Sequence, residues 1–161
     1  MYILRIHRNI NESYHCTISK YGKYILNKEC NNQEDFEQIL NMHTYKKIKL
    51  SVDNSDVLEY ILPIINYKFY LIIKYKFCEY FGDEIKEDLE NIYFPMMKNV
   101  ERLEIFSNHL FMEEELLLDF STLENTKIIK YFCEIVEPKN KFKYNKSLKA
   151  FYYNNCKKSI I

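Results

Sequence analysis

Residues 100–110 read VERLEIFSNHL and place apolar side chains at Val100, Leu103, Ile105 and Leu110, with a polar Asn108 between the last two. A step of three followed by a step of two describes a short strand. Leu103 and Ile105 point to the same side, and the chain turns at Asn108. Looser copies lie on either side. YKKIKLSVD supplies Tyr45, Ile48, Leu50 and Asp53; YLIIKYKFC supplies Tyr70, Ile73, Tyr75 and Cys78. TKIIKYFCE supplies Thr126, Ile129, Tyr131 and Glu134, and LKAFYYNNC supplies Leu148, Phe151, Tyr153 and Cys156. The opening MYILRIHRN fits with Met1, Leu4, Ile6 and Asn9. The starts at 45, 70, 100, 126 and 148 are 25, 30, 26 and 22 residues apart. A unit recurring at this interval cannot bury its apolar side alone and must stack on its neighbours.

Between these segments the apolar period becomes helical, over residues 34–42, 55–65, 83–94 and 112–123. Ser55, with Asp56 and Glu59 close behind, predicts one helix start and Asp83 another, while Pro63 and Pro95 restrict how far those helices run. Strand and helix alternate about once per repeat, so the expected fold is α/β, a parallel sheet backed by helices. Residues 10–33 fit the repeat worst. A strand near residues 23–27 is expected to form a cap hairpin with the first one, covering the open end of the core. Residues 138–146 (PKNKFKYNK) have the composition of a polar loop.

The period, the strand pattern and the Asn or Cys position together resemble a degenerate leucine-rich repeat. The likeness spans residues 45–156 and, in part, 1–9. LSVDNSDVLEYILPII and NVERLEIFSNHL also resemble the repeat-like halves of F-box proteins, although no F-box precedes them here. The resemblance implies a short curved solenoid with parallel strands on the concave face and helices on the convex face. At 161 residues it forms one domain. Residues 1–44 are a cap or degenerate repeat, 45–156 the repeats and 157–161 a tail. It also implies a non-catalytic interaction module, by analogy of fold alone.

In such a strand the residues between core positions face outward. The expected central column is Arg5, Lys49, Lys74, Glu104, Lys130 and Tyr152. The next column is His7, Ser51, Lys76, Phe106, Phe132 and Asn154. Cations stacked at strand spacing, about 4.8 Å, repel unless a partner neutralises them. Arg5, Lys49, Lys74, Lys76 and Lys130 are therefore expected to steer a protein partner with an acidic surface, and Phe106, Phe132 and Tyr152 to anchor it. The bland alternative is solvated surface. Lysine accounts for 20 residues against three arginines, and exposed lysines also keep sheets apart. A second functional alternative is RNA or the ribosome, met by the same face and by residues 139–158, which hold seven Lys and no acidic residue.

The remaining composition excludes more than it suggests. Cationic and anionic residues balance at 23 each, which argues against a general polycation. Two glycines leave no room for a phosphate loop, and no GxSxG, HExxH or dinucleotide fingerprint occurs. No catalytic residue, metal ligand, cofactor or small-molecule substrate is expected. His15 and Cys16, with Cys30, lack a fourth ligand for zinc. The five cysteines are odd in number with no close pair, so reduced thiols and a cytoplasmic location are expected. Residues 57–73, the most apolar stretch, contain Glu59, Pro63, Asn66 and Lys68, so no membrane span is expected. The Lys, Asn, Ile and Tyr bias matches an AT-rich genome, as in an intracellular parasite or a large DNA virus.

Overall fold

The computed structural model describes residues 1–41, 48–75, 83–107, 117–133 and 142–160. Strands β1 (Tyr2–Arg8), β2 (Tyr14–Lys20) and β3 (Lys23–Cys30) are followed by helix α1 (Gln33–Asn41). Next come β4 (Ile48–Val52), α2 (Leu58–Ile61) and β5 (Phe69–Lys74). A continuous helical run follows, with α3 (Asp83–Asp88), a π-helical turn (Leu89–Tyr93) and α4 (Phe94–Met96). Strands β6 (Val100–Phe106), β7 (Asp119–Phe120), β8 (Ile128–Phe132), β9 (Lys143–Tyr144), β10 (Ala150–Tyr153) and β11 (Cys156–Lys158) complete the chain. Nine of them form one sheet in the order β11-β10-β8-β6-β5-β4-β1-β2-β3, and β7 pairs with β9 separately. The six central strands are parallel, and β2, β3 and β11 join the ends antiparallel. This is a mixed α/β fold with a large, mostly parallel sheet and few helices.

The inward face consists of two straight rows. Leu4, Leu50, Leu71, Leu103, Ile129 and Phe151 are successive register partners, as are Ile6, Val52, Ile73, Ile105, Tyr131 and Tyr153. No residue of either row is more than 2% exposed. Each strand contributes one side chain to each row because alternate residues face the same way. Helix α1 adds Phe36, Ile39 and Leu40 to this core, and α2 adds Leu58 and Ile61. Beyond β6 the rings of Phe94, Phe120, Tyr131, Phe142 and Phe151 fill the layer. Their neighbouring centroids lie 4.9–6.2 Å apart.

Several sequence expectations change. The repeat copies at β4 and β5 are displaced along the chain. Leu50 and Leu71, not Ile48 and Ile73, align with Leu103. Displacements by two or four residues keep each side chain on its face but change its neighbours. The run FYLIIK is apolar at every position but the last, so its pattern could not fix that register. The helix expected over 55–65 shrinks to four residues. Asn54, rather than Ser55, accepts the Val57 N–H, at 3.3 Å, and Pro63 offers no N–H. Residues 117–123 are not helical. Leu118 and Phe120 are buried around a half-buried Asp119, a strand period, and the Asp119 N–H is held by Glu90 Oε1 at 2.8 Å.

The segment 23–27 belongs to β3, but β2 lies between it and β1, so the cap is a three-stranded meander rather than one hairpin. Within 138–146, Lys143 and Tyr144 are paired as β9. The expected tail begins inside β11, where Lys157 and Lys158 face Tyr152 and Phe151. Cys156, at the Asn or Cys position of the last repeat copy, is exposed. Asn108, Cys78 and Glu134 lie outside the described residues.

Candidate functional site

The other face of the sheet carries three rows, set by the same register. The first is Ile3, Lys49, Tyr70, Arg102, Ile128 and Ala150, and the second is Arg5, Ser51, Ile72, Glu104, Lys130 and Tyr152. In the third, Lys74, Phe106 and Phe132 are neighbours. His7 and Asn154 extend β1 and β10 at the same end of the sheet. The expected column is thus broken. Arg5, Glu104, Lys130 and Tyr152 do share a row, but Ser51 and Ile72 occupy the places assigned to Lys49 and Lys74. Lys49 sits one row lower and Lys74 one row higher. Lys76 lies outside the described residues.

Broken this way, the cations do not form an unneutralised stripe. The Tyr70 ring lies between two of them, with Lys49 Nζ 5.0 Å and Arg102 Cζ 4.7 Å from its centroid. Glu104, only 7% exposed, receives Arg102 at 3.3 Å and Lys130 at 3.6 Å. Burial, with Glu104 alongside, pushes the Tyr70 hydroxyl well above the ordinary phenol range. Lys130 also lies 5.5 Å from the Tyr152 ring, and Lys74 lies 5.4 Å from that of Phe106. Phe106 and Phe132 stack at 4.3 Å with their planes 3° apart, forming a flat half-buried shelf. Lys49, Lys74, Arg102 and Lys130 therefore each rest against a ring or a carboxylate, contacts that hold long side chains upright on the sheet.

In these rows Arg5 and Lys74 are exposed, while Lys49, Arg102 and Lys130 are half-buried. Arg5 donates to Ser19 Oγ, at 3.4 Å. Ile72 is 3% exposed although it faces outward, so its long neighbours close over it. Tyr70, Ile72 and Arg102 belong to the site and were missed in the sequence. The repeat pattern assigns Tyr70 to the core, and only the pairing of β5 with both neighbours reveals its face.

No family profile, characterised protein or solved structure matches the chain. The site's chemistry therefore rests on its own residues. Among those described, no three His, Cys, Asp or Glu side chains gather as metal ligands would. His15 and Cys16, being adjacent on β2, face opposite sides. His15 is paired with Glu29, whereas Cys16 is buried against Cys30. Cys16 and Cys30 share a hydrogen bond within the core, and that bond together with burial pushes the Cys16 thiol above its usual range. Cys30 and Cys133 are buried free thiols as well. Among the described residues, no helix is long and apolar enough to cross a membrane.

At the same end of the sheet as Phe132, side chains fasten neighbouring strands. Asp53 accepts the Arg8 N–H through both oxygens, at 3.1 and 3.2 Å. Asn154 accepts the Cys133 N–H at 2.9 Å and donates to its carbonyl at 2.7 Å.

Proposed function

We propose that the chain is a degenerate leucine-rich-repeat-like solenoid acting in the cytoplasm as a non-catalytic protein-binding module. Its partner is a protein with an acidic rim around an apolar patch. The observation that carries this reading is the composition of the outward rows. Lys74 abuts the Phe106–Phe132 shelf, Lys130 and the buried Glu104 lie one row below it, and Arg102, Lys49 and Arg5 continue the cationic surface along the same face. Aromatic rings held flat by stacking lose little freedom on docking, and the surrounding cations accelerate encounter with an acidic surface. The chain-order succession of the parallel strands and the 21–32-residue intervals between Leu50, Leu71, Leu103, Ile129 and Phe151 support the solenoid reading. Buried reduced thiols suit a reducing compartment.

The test is affinity capture from the source cell, with and without ribonuclease, comparing wild type with Arg5→Glu/Lys74→Glu. Both positions are exposed, so the fold survives reversal. The expected result is one ribonuclease-resistant partner, lost in the variant and rich in surface Asp and Glu. Identical partners from both proteins would make the outward face solvated surface, and ribonuclease-sensitive partners lost in the variant would move the reading of this face to RNA.

A further inference from the structure

A second surface lies at the edge where the parallel strands begin. Lys68 immediately precedes β5, Lys127 precedes β8, Lys149 precedes β10, and Lys98 stands two residues before β6. The strands are neighbours and parallel, and their register sets Lys68 beside Asn99 and Lys127 between Glu101 and Lys149, so three lysines form a ladder along the sheet edge, with Glu101 among them and Lys98 three residues before Glu101. At strand spacing the ladder covers about 14 Å. Lys68, Lys98, Asn99, Glu101, Asn125 and Lys127 line a groove of about 260 Å³ beneath it.

The backbone under this groove is tied from coil to coil. The Lys127 N–H donates to the Glu101 carbonyl and the Lys149 N–H to the Lys127 carbonyl, both at 2.8 Å. Asn99 Nδ2 donates to the Ile65 carbonyl and Asn125 Nδ2 to that of Lys98, each at 3.0 Å. Among the described residues, none of the four ammonium groups is ion-paired. Lys68, Lys98 and Lys149 are exposed, and Lys127 is half-buried.

We infer that this groove binds the phosphodiester backbone of single-stranded nucleic acid, at a surface separate from the protein-docking face. Four cations spread along this edge, none ion-paired among the described residues and Lys127 also donating to the Ser147 carbonyl at 3.5 Å, extend beyond what one phosphate group needs and outnumber Glu101 among them. The lining consists of three lysines, two asparagines and Glu101, with no aromatic or branched apolar side chain to anchor a peptide. A phosphate chain needs none, because neutralisation with counterion release supplies the binding free energy. Lysine meets phosphate as a point charge, while long stems let the four ammonium groups fan out to a flexible strand.

Fluorescence anisotropy with a labelled oligouridine RNA, titrated from 50 to 300 mM salt (roughly the range where such contacts respond), tests this. Wild type should bind with a log–log salt slope of about −3, from about 0.7 per phosphate contacted. Lys68→Gln/Lys98→Gln/Lys127→Gln/Lys149→Gln should lose at least about tenfold in affinity at low salt and most of the slope. Lys49→Gln/Lys74→Gln should bind like wild type. Thermal melts accompany both variants, and a triple variant retaining Lys127 replaces the quadruple one if its melting point falls. Absence of wild-type binding at the lowest salt, or undiminished binding by the edge variant, would overturn the inference. So would loss only in the outward-face variant, or equal binding of labelled polyglutamate.

Discussion

Glu104 shows how one residue organises the outward face. It is nearly buried on a surface otherwise lined by half-exposed side chains, and it holds Arg102 and Lys130. Removing it leaves two cations facing each other without their acceptor. Glu104→Leu is expected to cost about 2 kcal/mol in urea denaturation, less than a fully buried pair because both cations keep some solvent. Lys130→Leu should cost well under about 1 kcal/mol, since its ammonium group remains partly hydrated. A larger loss for Lys130 than for Glu104 would contradict this order. At the same scale, the inward alternation was legible from sequence. Leu103 and Ile105 are fully buried, and Leu103→Asp should leave the chain unfolded by circular dichroism, a charge having no partner there. What was not legible was the neighbour of each outward residue. Lys74 meets Phe106 rather than Glu104 because the all-apolar β5 segment carries no internal register mark.

Among the elements, the two sheet-end hairpins expose strain that composition hides. The β2–β3 turn places Tyr21 and Gly22 at φ 53° and 76°, and the β10–β11 turn places Asn154 and Asn155 at φ 47° and 65°. Two consecutive left-handed residues define the turn that matches strand twist, where Asn and Gly are favoured. Tyr21 is a bulky residue in that region and is 85% exposed, so packing does not explain it. Tyr21→Asn should raise stability by about 1 kcal/mol, read as a higher melting temperature. Asn154→Ala should lower it by about 2 kcal/mol, because it loses both bonds to Cys133 and retains the left-handed backbone. No change for Asn154→Ala would mean that β10 does not depend on this tie. Helix α1 was legible from its apolar stripe, and its cap emerges only in the structure. There Asn32 Oδ1 accepts the Asp35 N–H at 3.0 Å and the Asp35 carboxylate accepts that of Asn31 at 2.9 Å. The period was illegible in residues 117–123, where buried leucines and phenylalanine suit helix or strand and the ring packing of Phe120 decides for strand.

For the whole molecule, burial of tyrosine hydroxyls couples folding to alkaline pH. Burial raises the hydroxyls of Tyr70, Tyr93, Tyr131, Tyr144 and Tyr153, and pushes that of Tyr14 up to about 12. The unfolded chain ionises near its ordinary value of about 10. A raised folded-state value means that the stabilisation is complete below that pH and disappears as pH climbs through the folded-state value. Stability should therefore fall between about pH 10 and 12. Absorbance at about 295 nm (roughly where tyrosinate is followed) should show these buried rings ionising only with unfolding. Uniform titration near pH 10 with the fold intact would contradict the burial.

The docking claim is tested most directly by lysine-acetylation footprinting of the protein alone and with its captured partner, each site quantified by mass spectrometry. Protection of Lys49 and Lys74, with Lys68, Lys98 and Lys149 still reactive, is the predicted result. Protection of the edge lysines while Lys49 and Lys74 stay fully reactive would contradict the assignment of the outward sheet face as the protein-binding surface.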